Sequence, residues 1–374
     1  MKKTLKTVLA LSLCLVLVLG MAACGSSSAP ASAPAAPAAP AAPAAPAAPA
    51  EAAPVEAGAF DNLAPVNFII ASSAASSNAT YKTQVDDAAA TTEATGGKMT
   101  FQLSWDGTLG GDAELIEACF AGDIPIVSCA SSPLLSYIPE IGVFDCPVVY
   151  NDGETAFAGI GQFEETFDPI FENVGLKILG MGFTQFRGLS TNRELKTPED
   201  FKGMKIRIME NRYHQAFWEN MGAAPTPMAF PELYTGLQQG TVEAQDNPVG
   251  ALLATKFNEV QKYWMAIPAF PFVSFLIMNL DTFNSLDPAY QQALEDFAHT
   301  WLHNCYTVQI EDDVLTYQKM AELTGKDHVD VLECTDDIYN AMVAAAKPVW
   351  DQIANDIGAD VVDAYLATGG QTRG

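Results

Sequence analysis

The stretch that decides the fold of this chain reads Gly203-Met204-Lys205-Ile206-Arg207-Ile208-Met209-Glu210-Asn211. Its apolar residues predict a short buried strand, and Arg207 lies in the middle of that strand. Because an unpaired buried charge is very costly, this arginine needs a partner. Two partners remain open on residue type alone: an acid of the same protein, or a ligand carboxylate held by two parallel N–H···O bonds.

Strand and helix patterns alternate on either side of this stretch, which is typical of the parallel βαβ units of an α/β fold. About 310 residues follow the N-terminal segment, enough for two lobes rather than one core. Helical spacing persists from Pro288 to about Leu323 and predicts a helix that spans both lobes. An amphipathic pattern predicts a single helix from Gly153 to Asn173. Short apolar runs predict strands at residues 66–71, 99–105, 124–130, 176–183, 204–208, 242–245 and 272–278.

The N-terminus reads as a targeting segment rather than as part of the fold. Lysines precede an apolar run, Val8 to Leu19, that is too short to span a membrane. Ala22-Ala23-Cys24 then predicts a lipoprotein signal peptide, residues 1–23, with Cys24 as the lipidated first residue. An ordinary secretory signal is the alternative. Residues 24–62 consist mainly of Ala, Pro and Ser and predict a disordered tether.

The composition argues against several classes of function. The net charge of −26 argues against nucleic acid and anionic lipid surfaces as partners. The chain has no GxSxG, phosphate-loop or HExxH motif, so we expect no enzyme activity. It has no CxxC pair, and we expect neither a metal nor a cofactor. Most cysteines after the N-terminal segment are predicted to be buried free thiols: Cys119, Cys129, Cys146, Cys305 and Cys334.

Five segments, one of which overlaps the opening stretch, carry a resemblance to a known family. The run from Gly175 to Asn279 resembles the solute-binding proteins of tripartite ATP-independent periplasmic (TRAP) transporters, of the DctP type that binds C4-dicarboxylates and related organic acids. The segments appear in the family's order and spacing, at residues 186–193, 196–207, 222–230, 237–243 and 256–263. Weaker similarity extends from about Val66 to Tyr365.

This resemblance implies a two-lobe fold like that of periplasmic binding proteins, with a cleft between the lobes. We expect lobe I to comprise residues 63–184 and 273–312. Lobe II is then formed by residues 185–272 and 313–374. The long helix spans both lobes.

The resemblance also implies which residues bind the ligand. The family's arginine on the strand before the central helix forms a salt bridge with the ligand carboxylate, and it corresponds to Arg207. Asp112, at a Gly-Gly helix start, is equally well explained as a helix cap. The complete predicted set is Arg207, Arg187, Asn247, Phe230, Glu210, Asn211, Asp112, Ser72, Ser128 and Ser131.

Two departures from the family pattern affect the expected ligand. The usual Gln-Glu-Asn-Pro motif reads Gln245-Asp246-Asn247-Pro248 here. Many members have a proline two residues after the arginine, whereas this chain has Met209-Glu210-Asn211. An acid near Arg207 can accept a hydrogen bond from a ligand hydroxyl or compensate part of the arginine's charge. Dicarboxylates, sugar acids, hydroxy acids and keto acids therefore all remain open.

Taken with the N-terminus, the resemblance implies an extracytoplasmic lipoprotein anchored to the cell membrane. It would capture a small organic acid and deliver it to the membrane permease subunits of a TRAP-type secondary transporter. One alternative is a binding lipoprotein for an ATP-driven importer or a sensor kinase. A surface-anchored hydrolase or lyase is a second alternative, which the missing catalytic motifs count against.

Overall fold

The computed structural model describes residues 58–373 of the chain. The predicted signal peptide, Cys24 and tether residues 24–57 lie outside the described residues. Phe60 is only 6% exposed, and its ring centroid lies 5.4 Å from that of Tyr290. The packed part of the chain therefore begins inside the segment predicted as tether.

One mixed sheet of nine strands forms the centre of the described structure. Eight strands follow the order β2-β1-β3-β8-β4-β7-β5-β6, and β9 pairs with β8. The strands are β1 Val66–Ser72, β2 Met99–Ser104, β3 Ile126–Ala130, β4 Leu176–Thr191, β5 Lys205–Ile208, β6 Ala224–Pro227, β7 Ala244–Asn247, β8 Tyr263–Asn279 and β9 Asp330–Leu332. The α/β class predicted from the alternation is confirmed.

Two long antiparallel strands, β4 and β8, connect the two ends of this sheet. The C-terminal end of β8 pairs with β3, and its N-terminal end pairs with β9. Strand β7 pairs with the C-terminal end of β4. We call β1, β2 and β3, with the adjoining ends of β4 and β8, the first sheet half. The second sheet half comprises β5, β6, β7 and β9 with the opposite ends of β4 and β8.

Both long strands exceed the predicted segments 176–183 and 272–278. Pro268 and Pro271 interrupt the strand pattern of β8, because proline cannot donate to the ladder. The β4–β8 register also shifts at three places along the pair. These irregularities conceal the continuity of two strands that the sequence pattern divides into shorter pieces.

Twelve α-helices lie among the described residues. They are α1 Ala79–Ala94, α2 Asp112–Ala121, α3 Ser131–Leu134, α4 Gly153–Gly161, α5 Glu164–Asn173, α6 Arg212–Asn220, α7 Leu233–Gln238, α8 Val249–Ala254, α9 Leu280–Asn284, α10 Pro288–Glu322, α11 Asp336–Ile357 and α12 Ala359–Thr368. Helix α10 matches the predicted long helix and packs against α1 and α8. None of the helices in residues 58–373 is long and apolar enough to cross a membrane.

The prediction of one helix from Gly153 to Asn173 is wrong. The structure has two helices, α4 and α5, separated at Gln162 and Phe163. Glycines at 159 and 161 weaken the end of α4, since glycine disfavours the helix interior. Glu164 and Glu165 then favour a new N-terminus through the helix dipole.

Asp313, on α10, is expected to make stability depend on pH. Burial, with a smaller effect of Asp312, raises its pKa to about 7. Its Oδ1 atom is buried and has no hydrogen-bond partner among the described residues. Because the unfolded value is near 4, the folded protein holds the extra proton between about pH 4 and pH 7. Stability is therefore lost as pH rises through that window.

We expect the Asp313 contribution to the free energy of unfolding to fall by about 3 kcal/mol between pH 5 and pH 8. Asp313→Asn should remove that fall, as measured by urea unfolding at both pH values. Glu311→Gln, an exposed acid on the same helix, is the matched control. An Asp313→Asn protein with the same pH dependence as the wild type would contradict the assignment.

Candidate ligand-binding site

A cavity lies where β1 and β3 of the first sheet half end opposite β5 and β7 of the second. The middle of β4 and β8 and one side of α10 complete its wall. Crevices outside the carboxyl ends of strands are the usual ligand sites of open α/β sheets. Its volume of about 160 Å³ is smaller than the roughly 300–1,000 Å³ typical of pockets for drug-sized ligands. It suits a small molecule.

Arg207 is buried at the wall of this cavity. Its side chain projects from β5, which pairs with β6 and β7, and is 2% exposed. Nε donates to the backbone oxygen of Met228 at 2.8 Å, and the guanidinium lies 5.9 Å from the ring centroid of Phe230. No carboxylate among residues 58–373 forms a salt bridge with it. Burial, and then the charge of Arg187, lowers the pKa of Arg207 to about 10.

Arg187 has a partner inside the protein. Its Nε and Nη2 atoms each lie 3.2 Å from a carboxylate oxygen of Asp246, and Nη2 also donates to the Asp246 backbone oxygen. The two side chains are 1% and 0% exposed. Burial raises the pKa of Asp246, but the opposing effect of Arg187 leaves it below its usual range. Arg187 is not among the residues that line the cavity, so its predicted ligand contact stays a prediction.

Asp112, the first residue of α2, lines the cavity. Its Oδ1 accepts from the Ser73 hydroxyl at 2.5 Å, and its Oδ2 accepts from the Ala130 N–H at 3.5 Å. Burial raises the pKa of Asp112, while these two hydrogen bonds and the charge of Arg207 oppose that rise. Gly111, not Asp112, is the N-cap residue of α2. Asp112 is therefore not the cap residue itself, although its carboxylate lies in the first turn of α2, where the helix dipole favours an acid.

The structure brings most of the predicted residues to the cavity. Asn247 is held there by a chain of buried polar side chains. Its Nδ2 donates to Gln245 Oε1 at 2.5 Å, and Gln245 Nε2 donates to Ser190 Oγ at 2.7 Å. The predicted residues that line the cavity are Arg207, Asn247, Phe230, Glu210, Asp112, Ser72 and Ser128. Their contacts with a ligand remain predictions.

Asn211 and Ser131 lie away from the cavity lining. Asn211 Oδ1 caps α6 by accepting from the N–H groups of Tyr213 and His214, at 2.8 and 3.1 Å. Its Nδ2 donates to Asp145 Oδ2 at 2.7 Å. Ser131 is the buried first residue of α3. The contacts of Asn211 are thus structural ones within the protein.

Two glutamines that border the cavity were not predicted. Gln185 lies on β4 and is 7% exposed, while Gln309 lies on α10 and is 1% exposed. The Oε1 atoms of both are buried and accept no hydrogen bond from any described residue. No local motif marks either glutamine, because only the packing of β4 and α10 brings them to the cavity.

Comparison with known proteins places the chain in a family. The sequence model of DctP, described as "Bacterial extracellular solute-binding protein, family 7", matches residues 70–356. A solute-binding protein of Verminephrobacter eiseniae is 33% identical over 267 residues, which cover 71% of this chain and 78% of that protein. The 2,3-diketo-L-gulonate-binding periplasmic protein YiaO of Escherichia coli is 31% identical over 204 residues, which cover 54% of this chain and 62% of YiaO.

Among solved structures, a TRAP periplasmic solute-binding protein from Polaromonas sp. JS666, bound to D-erythronate, matches with a TM-score of 0.75. The two chains are 25% identical, and the match covers 81% of this chain and 98% of that one. These relatives are binding proteins rather than enzymes. The chain belongs to the DctP family of bacterial extracellular solute-binding proteins, the TRAP-type family that its sequence resembles.

Proposed function

We propose that this protein captures a small organic acid through a contact between Arg207 and the ligand carboxylate. The observation that carries the proposal is the buried Arg207 guanidinium, which lines a cavity and lacks an acidic partner among the described residues. A carboxylate is the group best matched to its planar donors. Because Arg207 is 2% exposed, the attraction would be stronger than between two groups in open water.

Three neighbouring features support a carboxylate at this position. Arg207 is oriented by its Nε hydrogen bond to Met228, so its remaining donors need no reorganisation. Phe230 offers an apolar face beside the guanidinium, and Asn247 supplies a polar side chain whose amide is already fixed by Gln245. YiaO and the Polaromonas protein, by their names, bind organic acids.

We further propose that the bound protein closes and delivers the acid to a TRAP-type secondary transporter. Lobe I would be residues 63–184 and 273–312, and lobe II residues 185–272 and 313–374. A register shift in β4 lies between Phe183 and Gln185, next to this boundary, where a change of strand direction is easiest. Genes for two TRAP membrane subunits beside this one would favour that partner over an ATP-driven importer or a sensor kinase.

The proposed function predicts that an organic acid both stabilises and compacts the protein. When its free concentration is 100 times its dissociation constant, a ligand should raise the free energy of unfolding by about 2.7 kcal/mol. The shift is measured by thermal unfolding against a panel of dicarboxylates, sugar acids, hydroxy acids and keto acids. Small-angle scattering of the same samples should give a smaller radius of gyration. If no acid raises the melting temperature, capture of an organic acid is wrong; if one does without compaction, only the closing motion is wrong.

We also propose that Cys24 carries a lipid anchor, so the protein works at the outer face of the cell membrane. The small residues before Cys24 and the Ala/Pro-rich segment after it support this. Cys24→Ser should stop processing or release the protein into the medium, as followed by cell fractionation. Cys14→Ser, inside the predicted signal peptide, is the control. A Cys24→Ser protein that stays membrane-bound and is cleaved at the same place would rule out lipidation.

A further inference from the structure

Asp145 is a buried acid that takes no part in the proposed ligand contact. It is the last residue of the 3₁₀-helix Pro139–Asp145, is 1% exposed and does not line the cavity. Its Oδ1 accepts from Ser132 Oγ at 2.8 Å, and its Oδ2 accepts from Asn211 Nδ2 at 2.7 Å. His214 Nε2 lies 3.1 Å from Oδ1 and donates to it, because a carboxylate only accepts. We call these four residues the Asp145 network.

The Asp145 network connects the two walls of the cavity. In the first sheet half, Ser132 lies in α3, directly after the cavity-lining residues 128–130 at the end of β3. In the second sheet half, Asn211 directly follows Glu210, which lines the cavity after β5. One carboxylate therefore accepts hydrogen bonds from both walls. Ser132 and Asn211 are 1% and 4% exposed, so water competes little for these bonds.

The network also fixes the start of α6, the helix that follows β5. Asn211 is the N-cap residue of this helix, and its side-chain oxygen accepts from two N–H groups of the first turn. Because Nδ2 of the same amide donates to Asp145, the oxygen is directed towards the helix. Arg207 lies four residues before Asn211. The segment that carries the proposed ligand arginine is therefore anchored by the network at its far end.

The 3₁₀-helix that ends at Asp145 approaches α6 closely. A Cβ atom at Gly142 would lie 2.5 Å from a ring carbon of Tyr213, so only glycine permits this approach. Burying a charge costs free energy, whereas a fully satisfied network specifies one arrangement of the segments it joins. An apolar side chain could fill the same space without that cost. Stability alone therefore does not account for a carboxylate at this position.

We propose that Asp145 is a positioning residue for ligand capture, which holds the two walls of the cavity in their binding arrangement through Ser132 and Asn211. It acts without touching the ligand. Because its two donors belong to opposite sheet halves, loss of the carboxylate releases both walls together. The effect on affinity rests on the proposed function, whereas the effect on the walls is independent of any ligand.

A pair of exchanged side chains tests the role of Asp145. Asp145→Asn keeps the shape of the side chain but replaces one acceptor by a donor. If the new amide nitrogen faces Asn211, two donors oppose each other. If it faces Ser132 and His214 instead, the His214 hydrogen moves to Nδ1, which is buried without a partner among the described residues. Adding Asn211→Asp restores the match, because the new amide can donate to a carboxylate that still caps α6.

Amide hydrogen exchange of the whole protein without ligand measures the coupling of the walls. Asp145→Asn should speed exchange about tenfold or more in both segments, 128–134 and 207–212, and the double variant should return both to within about threefold of the wild type. Tyr150→Phe removes the hydroxyl of a buried tyrosine 2.6 Å from Thr368 Oγ1, and as the matched control it should change neither segment. A change in one segment or in neither, or a change that the double variant does not reverse, would overturn the proposal.

Binding affinity, measured by calorimetry, gives the second test. The probe is whichever of succinate, gluconate, lactate and pyruvate, one from each class in the acid panel, raises the melting temperature of the wild type most. Asp145→Asn should bind it about tenfold or more weakly, although loss of a negative charge would by itself favour an anion. The double variant should bind within about threefold of the wild type. Wild-type affinity in Asp145→Asn would overturn the proposal.

A second variant covers the case in which Asp145→Asn does not fold. Asn211→Ser keeps a hydroxyl that can cap α6 but removes the donor to Asp145. It should show the same changes in exchange and affinity. If none of the four acids binds to the wild type, the proposed function fails, and hydrogen exchange alone decides whether Asp145 positions the two walls.

Discussion

Arg207→Ala should weaken binding of the true ligand by about a hundred- to several thousand-fold, or about 3–5 kcal/mol. The ligand carboxylate would still lose its water on entering the cavity but would find no bidentate partner there. Arg207→Lys should recover only part of the affinity, because an ammonium is a point charge without the planar fork. Calorimetry on variants that unfold as cooperatively as the wild type measures the effect.

Arg373→Ala is the matched control, since Arg373 pairs with Asp363 near the C-terminus and does not line the cavity. The Arg373→Ala protein should bind the ligand with the affinity of the wild type. An Arg207→Ala protein that binds within about threefold of the wild type would mean that Arg207 has only a structural role.

Asp246→Ala should destabilise the folded protein by about 3–5 kcal/mol, because it leaves the Arg187 guanidinium buried and unpaired. Replacing both partners by apolar residues, as in Arg187→Met with Asp246→Leu, should restore much of the loss. Urea unfolding measures both changes. Arg187 and Asp246 should therefore show strong energetic coupling in a double-mutant cycle.

Asp363→Ala provides the surface comparison, since it removes the partner of Arg373 in an exposed ion pair and should change stability far less. If Asp246→Ala and Asp363→Ala lowered the free energy of unfolding equally, burial would not be what makes the Arg187–Asp246 pair important for stability. Because Arg187 does not line the cavity, Arg187→Ala should weaken ligand binding less than Arg207→Ala does.

Local signals explain which parts of the fold could be predicted. Helix α10 begins with Asp287 as the N-cap and Pro288 in its first turn, and its helical spacing continues to its end at Glu322. Strand β5 is short and has buried isoleucines at 206 and 208 on either side of Arg207, so its position followed directly from the sequence. The predicted lengths of β4 and β8 were too short because prolines and register shifts interrupt the strand patterns.

The partner of Arg187 could not be predicted, because it depends on strand pairing. Asp246 lies 59 positions after Arg187 in the chain, and only the pairing of β4 with β7 brings the two residues together. In the sequence, Asp246 appeared as a conservative departure from a family motif, one position before the predicted ligand residue Asn247. The carboxylate that pairs with Arg187 thus also acts on the charge of Arg207, which has no salt-bridge partner among the described residues.

The pairing of β8 with both β3 and β4 has a consequence for the order of folding. The first sheet half is incomplete until β8 has been made to Asn279, and the second half until β9 has been made to Leu332. An N-terminal fragment that ends before Tyr263 would expose the edges of β3 and β4, which invite aggregation. Contacts between such distant segments also slow folding. We therefore expect a newly made chain to complete neither sheet half before most of its length is available.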